Sequence, residues 1–402
     1  MQTLRLIFPG SYYDSQIYSG RLYLWNSDGS IVTIDWDKLI EGIKIPDPLR
    51  LALTCAFQRS EYLYGDHWKL VFQDTEIRTA IQRKFKKLIE LSPIEISSTQ
   101  LRDCYIQQQD NPLSFPHADC TIYNKTLYLG SQSGVLSAGI DKQRKYPISR
   151  KPEKIWDGIA LSVAASYQTL AISAGNDGLF EYDLGTDYWS DNRHPRQRIR
   201  QHSNFARWLY ASIFSSSYFN EGYLADFVNI RNRENEEKWQ EREFLGLVSA
   251  GEIFGHGTQN GGSSLTWGLH DKICLVTPKS IEVVQYSPYK QEQSEKFRRL
   301  GEVPTGKTIG EIVSGDSTEF GFIIESDEGL LVINSLMKSV WIKGEPVNWR
   351  VFPRSIFYTN QLHVIYEDHL CIYSFNHDYF VDQKTKVAGI RHRREFPFAG
   401  RK

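Results

Sequence analysis

Along most of the chain, two short runs of alternating apolar and polar residues flank a tight polar turn, and the unit then recurs. The first copy spans Gly20–Trp36, with Leu22 and Leu24 on one side of Asp28-Gly29 and Ile31 and Thr33 on the other. Period-two alternation about an Asp-Gly pair predicts a β-hairpin, because glycine takes positive φ at no steric cost. Lys125–Asp141 and Gln168–Leu184 repeat the pattern closely. The segment from Arg207 through Val228 is a degenerate copy. Asp271–Tyr286 turns at Pro278-Lys279-Ser280, Phe320–Asn334 at Gly329, and Gln361–Ser374 at Glu367-Asp368-His369.

From Lys125 onward the copies start about 40 to 65 residues apart, the period of a four-stranded blade with insertions. One twisted four-stranded sheet leaves both faces open, and radial stacking of several such sheets covers them. In these features the chain resembles the broad β-propeller superfamily, which includes WD-repeat-like and quinoprotein-like rings. Trp36-Asp37 stands once at the end of a strand pair, and the Gly-His and Trp-Asp dipeptides of WD repeats do not recur in register. The resemblance therefore implies a fold and names no particular family. The expected fold is all-β, a seven-bladed β-propeller formed as one domain over residues 1–383. Leu4–Phe8 is expected to pair with the last blade and close the ring, since an unpaired terminal strand leaves an aggregation-prone edge.

Three segments depart from the repeat. Residues 41–115 form an insertion between blades 1 and 2, too long for a simple loop. Within it, Asp74–Leu91 reads as an amphipathic helix with Ile77, Ala80, Ile81, Phe85, Leu88 and Ile89 on one face. Asp74 is placed to cap that helix and Ser92-Pro93 to stop it. Residues 231–243 are a highly charged excursion, expected as a short helix or a mobile loop. Residues 384–402 form a basic carboxy-terminal tail.

Composition supports strands over helices, with Trp 10, Tyr 22 and Phe 21 among 402 residues and Met only 2. The formal net charge of -1 argues against wholesale nucleic-acid or membrane binding. No basic and apolar leader opens the chain, and no apolar run reaches the ~18 residues of a membrane helix. The five cysteines, Cys55, Cys104, Cys120, Cys274 and Cys371, are scattered without a CxxC pair. They read as buried, reduced thiols in a cytoplasmic protein.

Several constellations bear on chemistry. Gly301–Thr308 satisfies the GxxxxGK[ST] pattern, which would make Gly306, Lys307 and Thr308 nucleotide contacts. Its surroundings disagree: the preceding residues are mostly charged, and Gly310 and Gly315 interrupt any helix after it, so a connector between blades is the better account. Gly255–Gly262 is the most glycine-dense stretch and reads as a flexible connection, with His256 a conceivable polar contact. His117, Asp119 and Cys120 offer ligand types without enough partners, His363 and His369 show no metal spacing, and no metal or cofactor is expected. No GxSxG elbow occurs.

Two basic clusters stand out as contact regions. Arg193, Arg196, Arg198, Arg200, Arg207 and Trp208 gather arginines beside aromatics. Arg391, Arg393, Arg394, Phe396 and Phe398 give the tail the character of a linear anchor. The leading expectation is a non-catalytic interaction scaffold, a propeller subunit that holds other proteins in a complex through the 41–115 insertion, the 190–208 loop, the 231–243 excursion and the tail. The alternative is a nucleic-acid-binding subunit of a ribonucleoprotein or defence complex using the 190–208 cluster. A third class, an enzyme or small-ligand receptor working at the channel mouth, stays open because groups drawn from several blades leave no local motif.

Overall fold

The computed structural model describes residues 3–64, 68, 71, 74–141, 147–185, 195–217, 221–230, 241–255, 264–334 and 338–375. Its described strands form seven sheets, each with four antiparallel strands, one of them extended by a short fifth strand. The chain is a seven-bladed β-propeller. Blade 1 comprises Tyr12–Tyr18, Arg21–Asn26, Ile31–Asp35 and Tyr105–Gln109. Blades 2 to 6 begin at Asp119, Ser162, Phe205, Leu265 and Ile312. In blade 7, Asn348–Val351, Gln361–Ile365 and His369–Ser374 are followed in space by the amino-terminal strand Leu4–Pro9. That strand pairs antiparallel with His369–Ser374, Leu4 opposite Ser374 and Phe8 opposite Leu370, so the two ends of the ring are joined as expected.

The repeated sequence unit corresponds in six blades to the middle hairpin of the sheet, where a strand is covered on both faces and its apolar character is strongest. Several first-to-second strand turns hold positive φ at their centres, as at Ser19-Gly20, Asn124-Lys125 and Tyr167-Gln168. Two left-handed residues make the turn whose twist matches the flanking strands. Gly321 shows why a side chain is not tolerated at one such crossing. Its φ is +150°, and a Cβ there would lie 1.9 Å from the Ile333 carbonyl oxygen.

Buried apolar side chains form seven clusters, one between each pair of neighbouring blades. The largest lies between blades 7 and 1 and extends into the insertion, joining Leu4, Leu6 and Phe8 to Trp36, Leu53, Phe57, Phe85 and Leu88. The insertion leaves blade 1 after its third strand and returns as its outer strand, Tyr105–Gln109. Its main helix is Thr75–Glu90, with Asp74 accepting from the Glu76 and Ile77 amides. Ile81, Phe85 and Leu88 are buried, while Ile77 faces out. Beyond it, Ile94–Glu95 pairs parallel with Leu6–Ile7 as the fifth strand of blade 7. The insertion thus covers the edge that the closing strand would otherwise expose.

Among the described residues no helix is long and apolar enough to cross a membrane. Residues 231–240 and the tail lie outside the described residues, so the proposed anchor residues Arg391, Arg393, Arg394, Phe396 and Phe398 do too. The end of the charged excursion, Glu241–Glu243, is strand rather than helix or loop and opens the outer strand Glu241–Ser249 of blade 4.

Candidate functional site

From blade 7 round through blade 1 to blade 6, the first strand of each blade lies next to the first strand of the following one, so these strands form the wall of the central channel. Charged residues interrupt several of them: Asp14 in blade 1, Asp119 in blade 2, Arg207 in blade 4, Asp316 in blade 6 and Arg350 in blade 7. Each arginine reaches past a neighbouring blade. Arg350 donates through Nε to Asp14 Oδ1 at 3.1 Å and through Nη2 to Asp14 Oδ2 at 2.8 Å, while its Nη1 reaches Asp119 Oδ1 at 3.1 Å. Arg207 donates from Nε and Nη2 to Asp316 Oδ2 at 3.2 and 3.0 Å and lies 3.6 Å above the Phe205 ring. These two spokes tie together blades that share no face.

Asp14 is 1% exposed, and burial alone would raise its pKa. Arg350 and His117 outweigh that and hold the carboxyl well below the usual carboxylate range. His117 Nε2 lies 2.9 Å from Asp14 Oδ2, Asn348 donates to Oδ1 at 3.2 Å, and the Cys120 thiol donates to Oδ2 at 3.1 Å. Burial and the neighbouring Asp14 charge push the Cys120 thiol far up, which keeps it protonated and unreactive. His363, behind Ser15 at 3.0 Å, is pushed down to about 3 by burial and by Arg350. Asp14, His117 and Cys120 place ligand atoms within 4.8 Å of one another, yet Arg350 already occupies both Asp14 oxygens. A cation there would have to displace a guanidinium, so the geometry describes a structural clamp.

The two ends of the channel differ. At one end the nine-residue connection Phe352–Asn360 of blade 7 crosses the opening. Arg354 donates to the Ala165 carbonyl at 3.0 Å and to Ser166 Oγ at 2.5 Å in blade 3, and His270 Nε2 lies 3.3 Å from the Pro353 carbonyl. The insertion holds the same connection, with Ser60 Oγ donating to Ile356 at 3.0 Å and Arg59 over the Phe357 ring. Beneath it lies a cavity of about 460 Å³. The other end bears a cavity of about 290 Å³ lined by Asp119, Arg207, Asp316, Glu325, Trp349 and Arg350, among others. Glu325 Oε2 accepts from Ser314 Oγ at 2.5 Å and from Trp349 Nε1 at 2.8 Å, and no ion pair to it is present among the described residues.

The arginine cluster read from the sequence is taken apart by the fold. A propeller chain passes from the outer strand of one blade directly to the inner strand of the next, so sequence neighbours separate from rim to axis. Arg196, Arg198 and Arg200 belong to the rim of blade 3, whereas Arg207 lines the channel. Arg198 pairs with Glu181 at 2.6 Å, a carboxylate that Arg242 grips from the other side at 2.8 Å. Trp208 is buried, its Nε1 donating to the Ala164 carbonyl at 2.9 Å. Arg196 and Arg200 are exposed, and Arg193 lies outside the described residues.

The phosphate-loop pattern fares likewise. Gly301 sits inside the outer strand Phe297–Pro304 of blade 5, and Gly306, Lys307 and Thr308 lie in the connector to Ile312–Thr318 of blade 6. No helix opens after Thr308, and Lys307 is paired with Glu328. The strand–loop–helix frame that aims amides at a phosphate is not formed. Gly255 caps the short helix Ala250–Phe254, and residues 256–263 lie outside the described residues.

No protein-family model matches the chain, and no curated protein matches it in sequence. Solved structures with a similar arrangement include the β-propeller domain of Cps50 (Swd1) from Myceliophteria thermophila, at 7% identity over 91% of this chain and 96% of that one, TM-score 0.48. BamB from Moraxella catarrhalis matches at 9% identity over 92% of this chain and 82% of that one, TM-score 0.40. The WD40 β-propeller domain of Doa1 matches at 8% identity over 66% of this chain and 95% of that one, TM-score 0.35. The likeness extends to the fold alone.

Proposed function

We propose that the protein is a non-catalytic interaction platform, a propeller that presents fixed surfaces to other proteins within a complex. The observation that carries this reading is the insertion. It is anchored through the core of blades 7 and 1, yet it turns Leu51, Trp68, Val71, Ile77 and Leu91 outward, each at least 40% exposed. Apolar side chains displayed on a rigid base lose little entropy on binding, which favours protein contacts. The charged groups on the axis support the same reading, because Asp14, Asp119, Arg350, Arg207 and Asp316 are engaged with one another in clamps that stiffen the ring. The tail, residues 384–402, is proposed as a second, linear contact, and a cytoplasmic setting fits the buried thiols.

The test is affinity purification of the full chain beside a Trp68→Ser/Val71→Ser/Ile77→Ser variant and a chain ending at residue 383. Loss of a stoichiometric protein from the triple variant, with unfolding temperature unchanged, is the expected result. A full-length protein that brings down no partner refutes the platform reading, and an unchanged partner in both variants removes these surfaces from it.

A further inference from the structure

We propose that the open mouth of the channel is a receptor for one basic side chain, the guanidinium or ammonium group of a partner's extended segment, with Glu325 as its counter-charge. This rests on the platform reading and names the chemistry of the partner. The charge of the lining is the first argument. Arg350 is saturated by Asp14 and Asp119, and Arg207 by Asp316 and the face of Phe205. Glu325 remains, held by neutral donors only: Ser314 and the Trp349 indole. Counting Asp14, four carboxylates stand against two guanidiniums, so the sum is negative. An anionic ligand would meet arginines already neutralised, whereas a cation finds one unmatched carboxylate in a partly desolvated cavity, where pairing is strongest.

The surrounding face is the second argument and is independent of the first. In an antiparallel meander the middle hairpins and the connectors to the next blade all lie at the end of the channel where the inner strands begin. The hairpins on this face carry exposed Asp28, Asp177, Glu221, Asp327, Glu328, Glu367 and Asp368. The connectors add exposed Asp110, Asp157, Glu252, Glu311 and Glu345. Against them the same loops bear Arg200, Lys279 and Lys307 among the described residues; Lys307 neutralises Glu328, and Asp157 pairs with Lys154 of the adjoining strand at 2.7 Å, which leaves the acidic groups in excess. A chain of net charge -1 thus concentrates its acidity around one opening. Such a field steers a basic segment toward the mouth and raises its association rate. The volume of about 290 Å³ sits at the lower limit of ligand pockets, which suits one side chain better than a cofactor.

Calorimetric titration of the full chain tests this with four probes: a capped tripeptide with arginine at its centre, its lysine and citrulline counterparts, and spermidine. The arginine or lysine tripeptide should bind, citrulline should bind at least about tenfold more weakly, and raising salt from 50 to 300 mM should weaken the cationic probes. Glu325→Gln, which keeps an acceptor for Ser314 and Trp349, should lower affinity about tenfold. Citrulline binding as well as arginine, or Glu325→Gln binding as well as the parent, overturns the proposal. Spermidine binding while both tripeptides fail overturns the partner segment in favour of a free amine. A protein partner that co-purifies unchanged while every cationic probe fails overturns this inference and leaves the platform standing.

Discussion

Replacing Arg350 by methionine removes the guanidinium that compensates two carboxylates and links blade 7 to blades 1 and 2. Methionine keeps much of the length of the stem and none of the charge. Asp14, 1% exposed in the parent, then keeps His117, Asn348 and the Cys120 thiol as its contacts. Breaking a buried pair from one side typically destabilises by about 3–5 kcal/mol, because an uncompensated charge stays behind. The loss should depend on pH. In the parent, the folded Asp14 pKa lies below the unfolded 3.8, so its contribution is complete above that value and fades as pH falls through it. In the variant, burial acts against one fewer counter-charge and the folded pKa rises. Protonation then relieves the defect, and the difference between the proteins narrows as pH drops from 7 toward 4. Urea unfolding followed by tryptophan fluorescence at several pH values measures this. Asp14→Asn/Arg350→Met should be less destabilised than the sum of the two single changes. Additivity within about 0.5 kcal/mol, with a gap independent of pH, would refute the clamp.

Other expectations follow from the same contacts. His363 is folded neutral with a pKa near 3 against 6.5 unfolded, so the unfolded chain binds the extra proton between those values and stability must rise with pH across that window; His363→Gln should flatten that part of the unfolding temperature against pH, and an unchanged slope counts against it. Phe8 is fully buried in the closing strand, so Phe8→Ala should destabilise by about 3–5 kcal/mol and loosen both chain ends together, seen as faster hydrogen exchange in Leu4–Pro9 and His369–Ser374. Exchange confined to one of these strands would contradict their joint closure. All five cysteines are buried, and burial pushes the Cys55 and Cys274 thiols up to about 12, so a thiol reagent should label none of them rapidly in the native protein and all of them in denaturant.

Legibility along the chain followed burial. A strand in the middle of a blade is covered on both faces and flanked by strands, so Leu22–Trp25 and Leu330–Ile333 announce themselves by apolar content. Outer strands such as Arg196–Ile199 are half wet and carry charge, and inner strands such as Asp119–Tyr123 are short and mixed. The helix at Thr75–Glu90 was readable because its period, cap and stop agree. The clamp residues had a faint signal, a charge inside an otherwise apolar strand, as in Asp14 and Arg350. No spacing rule connects them, since they lie 336 positions apart.

The order of residues alone determined that this chain builds repeated hairpins and that a helix stands at Thr75–Glu90, because alternation, turn chemistry and capping act over a few residues. Only the tertiary structure decided which charges meet. Radial stacking carries Arg207 to the axis and leaves Arg196 and Arg200 at the rim, although they are close in sequence. It brings Arg350 onto Asp14 and Asp119 from opposite ends of the chain. It also gathers the acidic hairpins of five blades and the acidic connectors between blades onto one face. Pairing of charges depends on distance in space, and a closed ring makes that distance nearly independent of separation along the chain.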